Sequence, residues 1–546
     1  MDSKPPRARS ESSKSRLPQI RSVHKFSITD KPSNDSYRLI KPTMMIPERE
    51  DEDSLAYNGT PAVKTEPSSK FLIFRPVLFA ERPSSHPNTG YMFKFLGSEV
   101  KLIRWVFEDN GFREGKKSWM IGWSNTAMRS QVYQSLTRGQ KVNHFPRSHE
   151  ITKKDNLFKN ISKMQSLHGK RFYNFIPETF VLPGESMALN EEMDKEKEVL
   201  WIVKPAGSSQ GKGIFLTNRI GEVPFGQNMV VSRYIANPLL INGYKFDLRI
   251  YVAVTCMDPL RIYIYKEGMA RFATEVYDLK NPRNRFVHLT NYSLNKYSPN
   301  FVDLNEDGKG FKWTLSALKS FLESQGVKFS IIWDQIKDIA IKTIISIETV
   351  INSAMSMYVP SSKNCFELLG FDILIDDNLR PWLLEVNLSP SMNTETSIDM
   401  KIKSVLIADL LNLVGIRRIE PRKRRNSQVA RPAWGGGSNV GGLSKKEIQV
   451  IKETENERKR AGGFECCFPC ENSLDYKQFF DVQRGFNNLL MAHYACDKKD
   501  IYRYSLQDYD NKLGAMKKEK SLRANGNPAR TVESSRSKIQ SKMTYN

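Results

Sequence analysis

The chain has 546 residues, 39% apolar and 26% charged, with 29 Phe, 20 Tyr and 8 Trp. At roughly 150 residues per domain this is three to four units with enough apolar material for a core, which excludes wholesale disorder. A net charge of +23 points to a polyanionic partner, whether nucleic acid, an acidic membrane surface or an acidic protein.

Residues 1–70 are rich in Ser, Pro, Lys and Arg and read as a disordered tail. The polar start, Met1 to Arg16, lacks a secretory signal's apolar stretch, and six cysteines are too few for a disulfide framework. A reducing, cytoplasmic setting is expected. An N-terminal subdomain is expected over 71–183. It holds a strand at Phe71 to Arg75, a helix from Val100 to Asn110 ended by Gly111, a strand at Trp119 to Trp123 and a basic helix from Lys153 to Met164. A central subdomain over 184–235 begins with an acidic connector (184–200). Strands follow at Trp201 to Val203, Gly213 to Leu216 and Met229 to Ile235, in a βαβ-like section.

A C-terminal subdomain is expected over 236–415. Phe246 to Val254 and Leu260 to Tyr265 have the β-branched and aromatic content of a hairpin around Asp258-Pro259. The apolar spacing of Trp333 to Met357 predicts one long helix. Strands follow at Gly370 to Ile375 and Trp382 to Val386, then a helix over Asp399 to Val414. Residues 416–443 read as a basic, then Gly-rich linker, 444–510 as a helical extension opened by a Ser444/Glu447 capping box, and 511–546 as a basic disordered tail. No apolar run reaches the roughly 18 residues of a membrane span.

Three constellations carry chemistry. Lys204-Pro205-Ala206-Gly207-Ser208-Ser209-Gln210-Gly211-Lys212-Gly213 joins two strands. Small residues let backbone N–H groups approach phosphates, and a lysine ending the strand neutralises them, although an ordinary Gly-rich hairpin has the same look. Asp372 and the pair Glu385/Asn387 lie on adjacent strands, and alternation puts Glu385 and Asn387 on one face. Two carboxylates and an amide suit Mg²⁺, a hard cation with oxygen ligands, and two facing carboxylates without a cation would repel. In Lys245-Phe246-Asp247-Leu248-Arg249 the charges fall on one face and the apolar residues on the other. A surface ion ladder or the wall of a nucleotide cleft would both explain it.

The order of these parts resembles an ATP-grasp ligase. The runs KVNHFPRS, LLINGYKFDLRIYV, DPLRIY, ARFAT, HLTNYSLNK, FELLGFDILID and PWLLEVNLSPS resemble the tubulin–tyrosine ligase-like family over about residues 71–415, especially its polyglutamylase branch. ETENERKRAGGF (453–464) is similar to the helix beyond the core in those enzymes, where a basic element contacts the microtubule.

The resemblance implies an α/β (α+β) ATP-grasp core and an ATP-dependent carbon–nitrogen ligase. ATP converts an acceptor side-chain carboxyl on an acidic tubulin C-terminal tail into an acyl phosphate, and the amine of free L-glutamate displaces the phosphate. By motif, Lys204 holds phosphate, Gln210 and Gly211 form the closing loop, and Ser232, Arg233, Tyr234 and Ile235 form the adenine hinge. Lys245, Phe246 and Asp247, with Thr290 and Asn291, complete the nucleotide contacts. Asp372, Glu385 and Asn387 ligate Mg²⁺. Arg249 and Arg271 stabilise the acyl phosphate and the amino acid's carboxylate, and Tyr292, Ser293 and Lys312 complete the amino-acid pocket.

The expected partner is tubulin in microtubules, docked through Arg417–Arg425 and the helix at 444–461, with a nuclear-localisation patch as the other reading of the basic run. The chain is expected to be a monomer without nucleic acid, at the cytoskeleton and, within it, the cilium or basal body. Glycine or tyrosine ligation, or a catalytically dead microtubule-binding protein, are the competing readings. Gln210 points to chain elongation and Leu388 to initiation. The spacing of Cys466, Cys467, Cys470, His493 and Cys496 is irregular for zinc.

Overall fold

A computed structural model describes residues 70–77, 89–208, 210–302, 304, 306–418 and 443–495. The expected terminal tails, the basic run beyond Arg418, the Gly-rich linker, Ser209 and Cys496 lie outside the described residues.

Three sheets carry the fold. The first is parallel, in the order β2-β1-β3-β4, from β1 (Tyr91–Phe95), β2 (Phe112–Glu114), β3 (Ile121–Trp123) and β4 (Lys141–Val142). Helix α1 (Lys101–Asp109) buries Leu102, Ile103, Val106 and Phe107 and stops where Gly111 adopts φ 83°. The second sheet is antiparallel, in the order β5-β8-β6-β7, from β5 (Thr179–Val181), β6 (Trp201–Pro205), β7 (Phe215–Thr217) and β8 (Met229–Arg233). The βαβ-like expectation is therefore corrected to hairpin-type pairing. Helix α2 (Lys154–His168) buries Leu157, Phe158, Ile161 and Met164, one face at helical spacing.

The third sheet has seven strands: β9 (Leu240–Ile241), β10 (Tyr244–Met257), β11 (Leu260–Phe272), β12 (Lys312–Thr314), β13 (Glu367–Ile375), β14 (Pro381–Asn387) and β15 (Phe464–Phe468). Its main path is β12-β11-β10-β13-β14. The outer edge of β11 is covered end to end, by β15 over Ile262–Tyr265 and by β12 over Met269–Arg271. The extension after the linker thus contributes a strand as well as helices.

One face of β10 explains why the site sits where it does. Phe246, Leu248, Ile250, Val252 and Val254 enter the largest apolar cluster. The opposite face begins with Lys245, Asp247 and Arg249, then turns apolar at Tyr251 and Ala253, which enter a second cluster. The charged end of that face, Lys245, Asp247 and Arg249, belongs to neither apolar cluster.

Several expectations are corrected. Phe71 to Arg75 is no strand: Phe71 makes an isolated bridge to Arg417, and Phe74 and Val77 satisfy their backbone on Asn412 and Ser404 side chains instead of a neighbouring strand. The acidic connector contains helix α3 (Ser186–Lys195), which buries Leu189 and Met193, four apart, against the second sheet. The long helix is two, α4 (Phe329–Ile345) and α5 (Glu348–Tyr358), bent by 48°. At the break Ser346 Oγ donates to the Thr343 carbonyl at 2.7 Å, competing with the helical ladder. Among the described residues no single helix is long and apolar enough to cross a membrane. Helix α6 (Ser397–Val414) opens with a Thr396/Asp399 capping box, and α7 (Lys445–Arg458) with the expected Ser444/Glu447 box.

Candidate active site

Two cavities meet on the third sheet. The first lies between the second and third sheets. Lys204 and Pro205 end β6, and Gln210 and Gly211 come from the loop that follows. Ser232 and Arg233 end β8 and Tyr234 and Ile235 follow it, Lys245 and Asp247 come from β10, and Thr290 and Asn291 sit between two short helical turns. Every sequence-predicted cofactor residue lines it except Phe246. That residue is 1% exposed and packs on Phe272 with ring centroids 5.4 Å apart, so alternation turns it into the core and its assignment to the cleft is corrected. Arg233 lines the cleft, but its guanidinium is drawn to Glu178, Glu192 and Glu196.

Lys245 is fixed by a directed chain of hydrogen bonds. Its Nζ donates to Tyr234 Oη at 2.9 Å and to the His288 carbonyl at 3.0 Å. His288 Nε2 faces the Asn281 carbonyl at 3.0 Å, so it carries the proton, and Nδ1 accepts from Tyr234 Oη at 3.0 Å. Burial lowers the pKa of His288, consistent with a neutral ring. Burial also pulls Lys245 down to about 7, against the pull of Asp247, and Lys204 to about 8, against the pull of Glu385. Gln210 has φ 61°, a left-handed conformation unusual for a side chain of its size, next to Gly211 at φ 74°. Arg285 anchors this loop by donating to the Gly211 carbonyl at 2.5 Å.

The second cavity is lined by Arg249, Arg271, Tyr292, Ser293, Lys312 and Asn387, all predicted. Gln210, Lys212, Asn291 and Glu385 line both cavities, so Glu385 stands at the junction.

Asp372, Glu385 and Asn387 converge there as predicted. Asp372 pairs with Glu385 across β13 and β14, and Asn387 Nδ2 lies 3.4 Å from Asp372 Oδ2 and 3.3 Å from Glu385 Oε1. A β-bulge produces this geometry. The register jumps from Asp372/Glu385 to Ile373/Leu383, so Leu383 is buried in the core while Leu384 and Glu385 both face the cleft. Without the extra residue Glu385 would share Leu383's face.

The carboxylates are not left to repel one another, as the sequence suggested. Asp372 is bound by Arg249 Nε at 2.7 Å and Arg271 Nη2 at 2.9 Å. Arg271 also pairs with Asp247 at 2.6 Å. Burial alone would raise the pKa of Asp372, but the two guanidiniums hold it well below the usual carboxylate range. Gly370 makes room for this: a Cβ there would lie 3.2 Å from Arg249 Cδ and 3.0 Å from Pro390 Cβ. The oxygen donors nevertheless suit a hard cation. Among the described residues no group of three or more His, Cys, Asp or Glu side chains is placed to hold a metal, so such a site would need the Asn387 amide oxygen.

Lys154 was not singled out from the sequence. It lies in the first turn of α2, 3.3 Å from Glu385 Oε2, and donates to the Ser208 carbonyl at 2.9 Å. The only sequence signal was the basic character of that helix.

A model of the tubulin-tyrosine ligase family matches residues 132–426. The chain is 37% identical over 452 residues to tubulin polyglutamylase TTLL5 of Mus musculus, covering 74% of this chain and 34% of that protein. It is 38% identical over 481 residues to tubulin monoglutamylase TTLL4 of Homo sapiens, covering 76% of this chain and 40% of that one. Probable tubulin polyglutamylase TTLL2 of Homo sapiens is 38% identical over 380 residues, 67% of this chain and 62% of that protein. The chain thus spans between about a third and three-fifths of the length of these relatives.

Proposed function

The chain belongs to the tubulin-tyrosine ligase family, and from that premise we propose that it is an ATP-dependent ligase joining free L-glutamate to glutamate side chains of acidic tubulin tails. The printed activities of its relatives support glutamate and tubulin. The observation that carries the reading is the meeting of two cavities at Glu385, one lined by the expected nucleotide residues and the other by the expected amino-acid residues.

In this reading the triphosphate end of ATP lies along Lys204, Lys245 and the Gln210–Gly211 loop, where buried lysines await phosphate charge. The end of β8 and the residues after it, Ser232 to Ile235, take the adenine. Asp372, Glu385 and Asn387 would hold Mg²⁺, which would supply charge neutralisation beside the phosphates. Arg249 and Arg271, fixed by their carboxylates, present charge to the acyl phosphate and the incoming carboxylate without reorganising. Tyr292, Ser293 and Lys312 complete the amino-acid pocket. The net charge of +23 supports capture of acidic tails at the cytoskeleton, with the cilium as one setting.

The test is incubation of the full chain with microtubules, Mg-ATP and labelled glutamate, glycine or tyrosine in separate reactions. Glutamate should be incorporated. Glu385→Gln should lower that rate by about two to three orders of magnitude with the melting temperature nearly unchanged. Incorporation of another amino acid, or microtubule binding with none, would sink the reading.

A further inference from the structure

The loop between β6 and β7 holds a conformation that its own residues do not favour. Gln210 and Gly211 stand in succession at φ 61° and 74°. Glycine takes the left-handed region freely, whereas a glutamine there is strained and stays only where its surroundings hold it. Bonding within the loop is weak. The Ile214 N–H lies 3.5 Å from the Gly211 carbonyl and the Ser208 N–H 3.4 Å from the Pro205 carbonyl, both beyond good hydrogen-bond length.

The hold comes from outside the second sheet. Arg285 Nη2 donates to the Gly211 carbonyl at 2.5 Å. Asn291 backs the same glycine, because a Cβ on Gly211 would stand 3.1 Å from its Oδ1. The turn that presents the arginine, Arg285–His288, is itself fixed. Asn284 Oδ1 accepts the Phe286 N–H at 3.0 Å, Asn284 Nδ2 donates to Glu275 Oε2 at 2.6 Å, and the Phe286 carbonyl accepts the Thr274 N–H at 3.2 Å. His288, in the same turn, is bonded to Tyr234 and, through its carbonyl, to Lys245. The turn that fixes a lysine of the first cavity therefore also grips the loop.

Placement separates Arg285 from the nucleotide. Gly211 lines the first cavity, whereas Arg285 lines the second and not the first. The arginine thus acts on the first cavity through the loop. A peptide unit is planar and trans, so drawing the Gly211 carbonyl to Arg285 sends the Lys212 N–H the opposite way. A cation on the carbonyl also polarises that N–H and makes it the better donor.

We propose that Arg285 is a positioning residue for ATP: by holding the Gly211 carbonyl it sets the left-handed Gln210–Gly211 turn, and with it the Lys212 N–H, before the triphosphate arrives. This rests on the nucleotide reading of the first cavity given above.

The experiment compares wild type, Arg285→Met, Arg285→Lys and Arg283→Met on the full chain. Arg283 belongs to the same segment, pairs with Glu222 at 3.0 Å on the surface, and reports the loss of a neighbouring charge. Trypsin cleavage after Lys212, which is exposed, is timed in nucleotide-free protein, and calorimetry gives the affinities for ATP and for adenosine. Arg285→Met should speed cleavage after Lys212 by about tenfold, with cleavage after the exposed Lys197 within about twofold of wild type. ATP affinity should fall by about tenfold, the low end for a hydrogen bond from a charged group because Arg285 is exposed, with adenosine within about twofold. Arg285→Lys should recover most of both effects, and Arg283→Met should produce neither. Unchanged cleavage in Arg285→Met, an equal loss for adenosine and ATP, or an equal effect from Arg283→Met overturns the inference while wild-type ATP binding leaves the nucleotide reading standing. A wild-type chain that binds neither ATP nor adenosine overturns the nucleotide reading and the inference with it.

Discussion

The two cavities that meet at Glu385 handle positive charge differently. In the first, Lys204 and Lys245 are buried and pulled down to about 8 and about 7, and Lys245 leans on a tyrosine hydroxyl and a backbone carbonyl. In the second, Arg249, Arg271 and Lys312 are each locked against a carboxylate. The first cavity stores unmet charge that a polyanion relieves on arrival. The second holds its cations against carboxylates and offers fixed directions to a smaller ligand. Strong binding energy thus belongs to the first cavity and orientation to the second.

Breaking that contrast should give its largest stability effect on the paired side. Arg249→Met leaves Asp372 buried with Arg271 alone and should cost about 3–5 kcal/mol, read by denaturant unfolding. A loss below about 1 kcal/mol would mean the pair is dispensable.

The unmet side should respond with the opposite sign. Lys204 at about 8 against its ordinary 10.5 carries a penalty of about 3 kcal/mol, present in full below pH 8 and gone above pH 10.5. Lys204→Met should therefore stabilise the nucleotide-free protein by up to that amount at pH 7, while ATP affinity falls at least tenfold. Destabilisation together with unchanged affinity would refute the distinction.

A smaller effect is proton uptake. Bound phosphate should raise Lys245 from about 7 toward its ordinary value, so ATP binding takes up protons at pH 8. Affinity should fall as pH rises from 7 to 9, by at most about tenfold per unit for this lysine. Calorimetry in two buffers of different ionisation heat measures the proton count, and a count of zero contradicts the buried-lysine account. The smallest effect is expected from Phe246→Leu, about 1 kcal/mol of stability with ATP affinity unchanged, because its ring faces Phe272.

Much of this was legible from residue order. Period-two alternation was enough to bring Lys245, Asp247 and Arg249 to one face. It also placed Glu385 beside Asn387, although the parity of Leu383 depends on a bulge that no local pattern announces. The same alternation should have removed Phe246 from the cleft. Long-range partners were hidden. Lys154 reaches Glu385 from the first turn of helix α2, and Asp372 finds its counter-charge on β10 and β11, more than a hundred residues earlier. The Phe71 segment had a strand's composition but no strand beside it, and the break at Ser346 comes from a side-chain bond rather than a Pro or Gly.

The end-to-end cover on β11 sets a boundary on dissection. Arg271 reaches the junction from a strand whose outer edge, along its far half, is paired by Phe464–Phe468, and Glu457 adds an ion pair to Arg261 there at 3.3 Å. A fragment stopped at residue 426, where the family match ends, would present Ile262–Tyr265 as a bare hydrogen-bonding rim, open to other chains. The shortest piece that keeps this architecture whole therefore runs past residue 468.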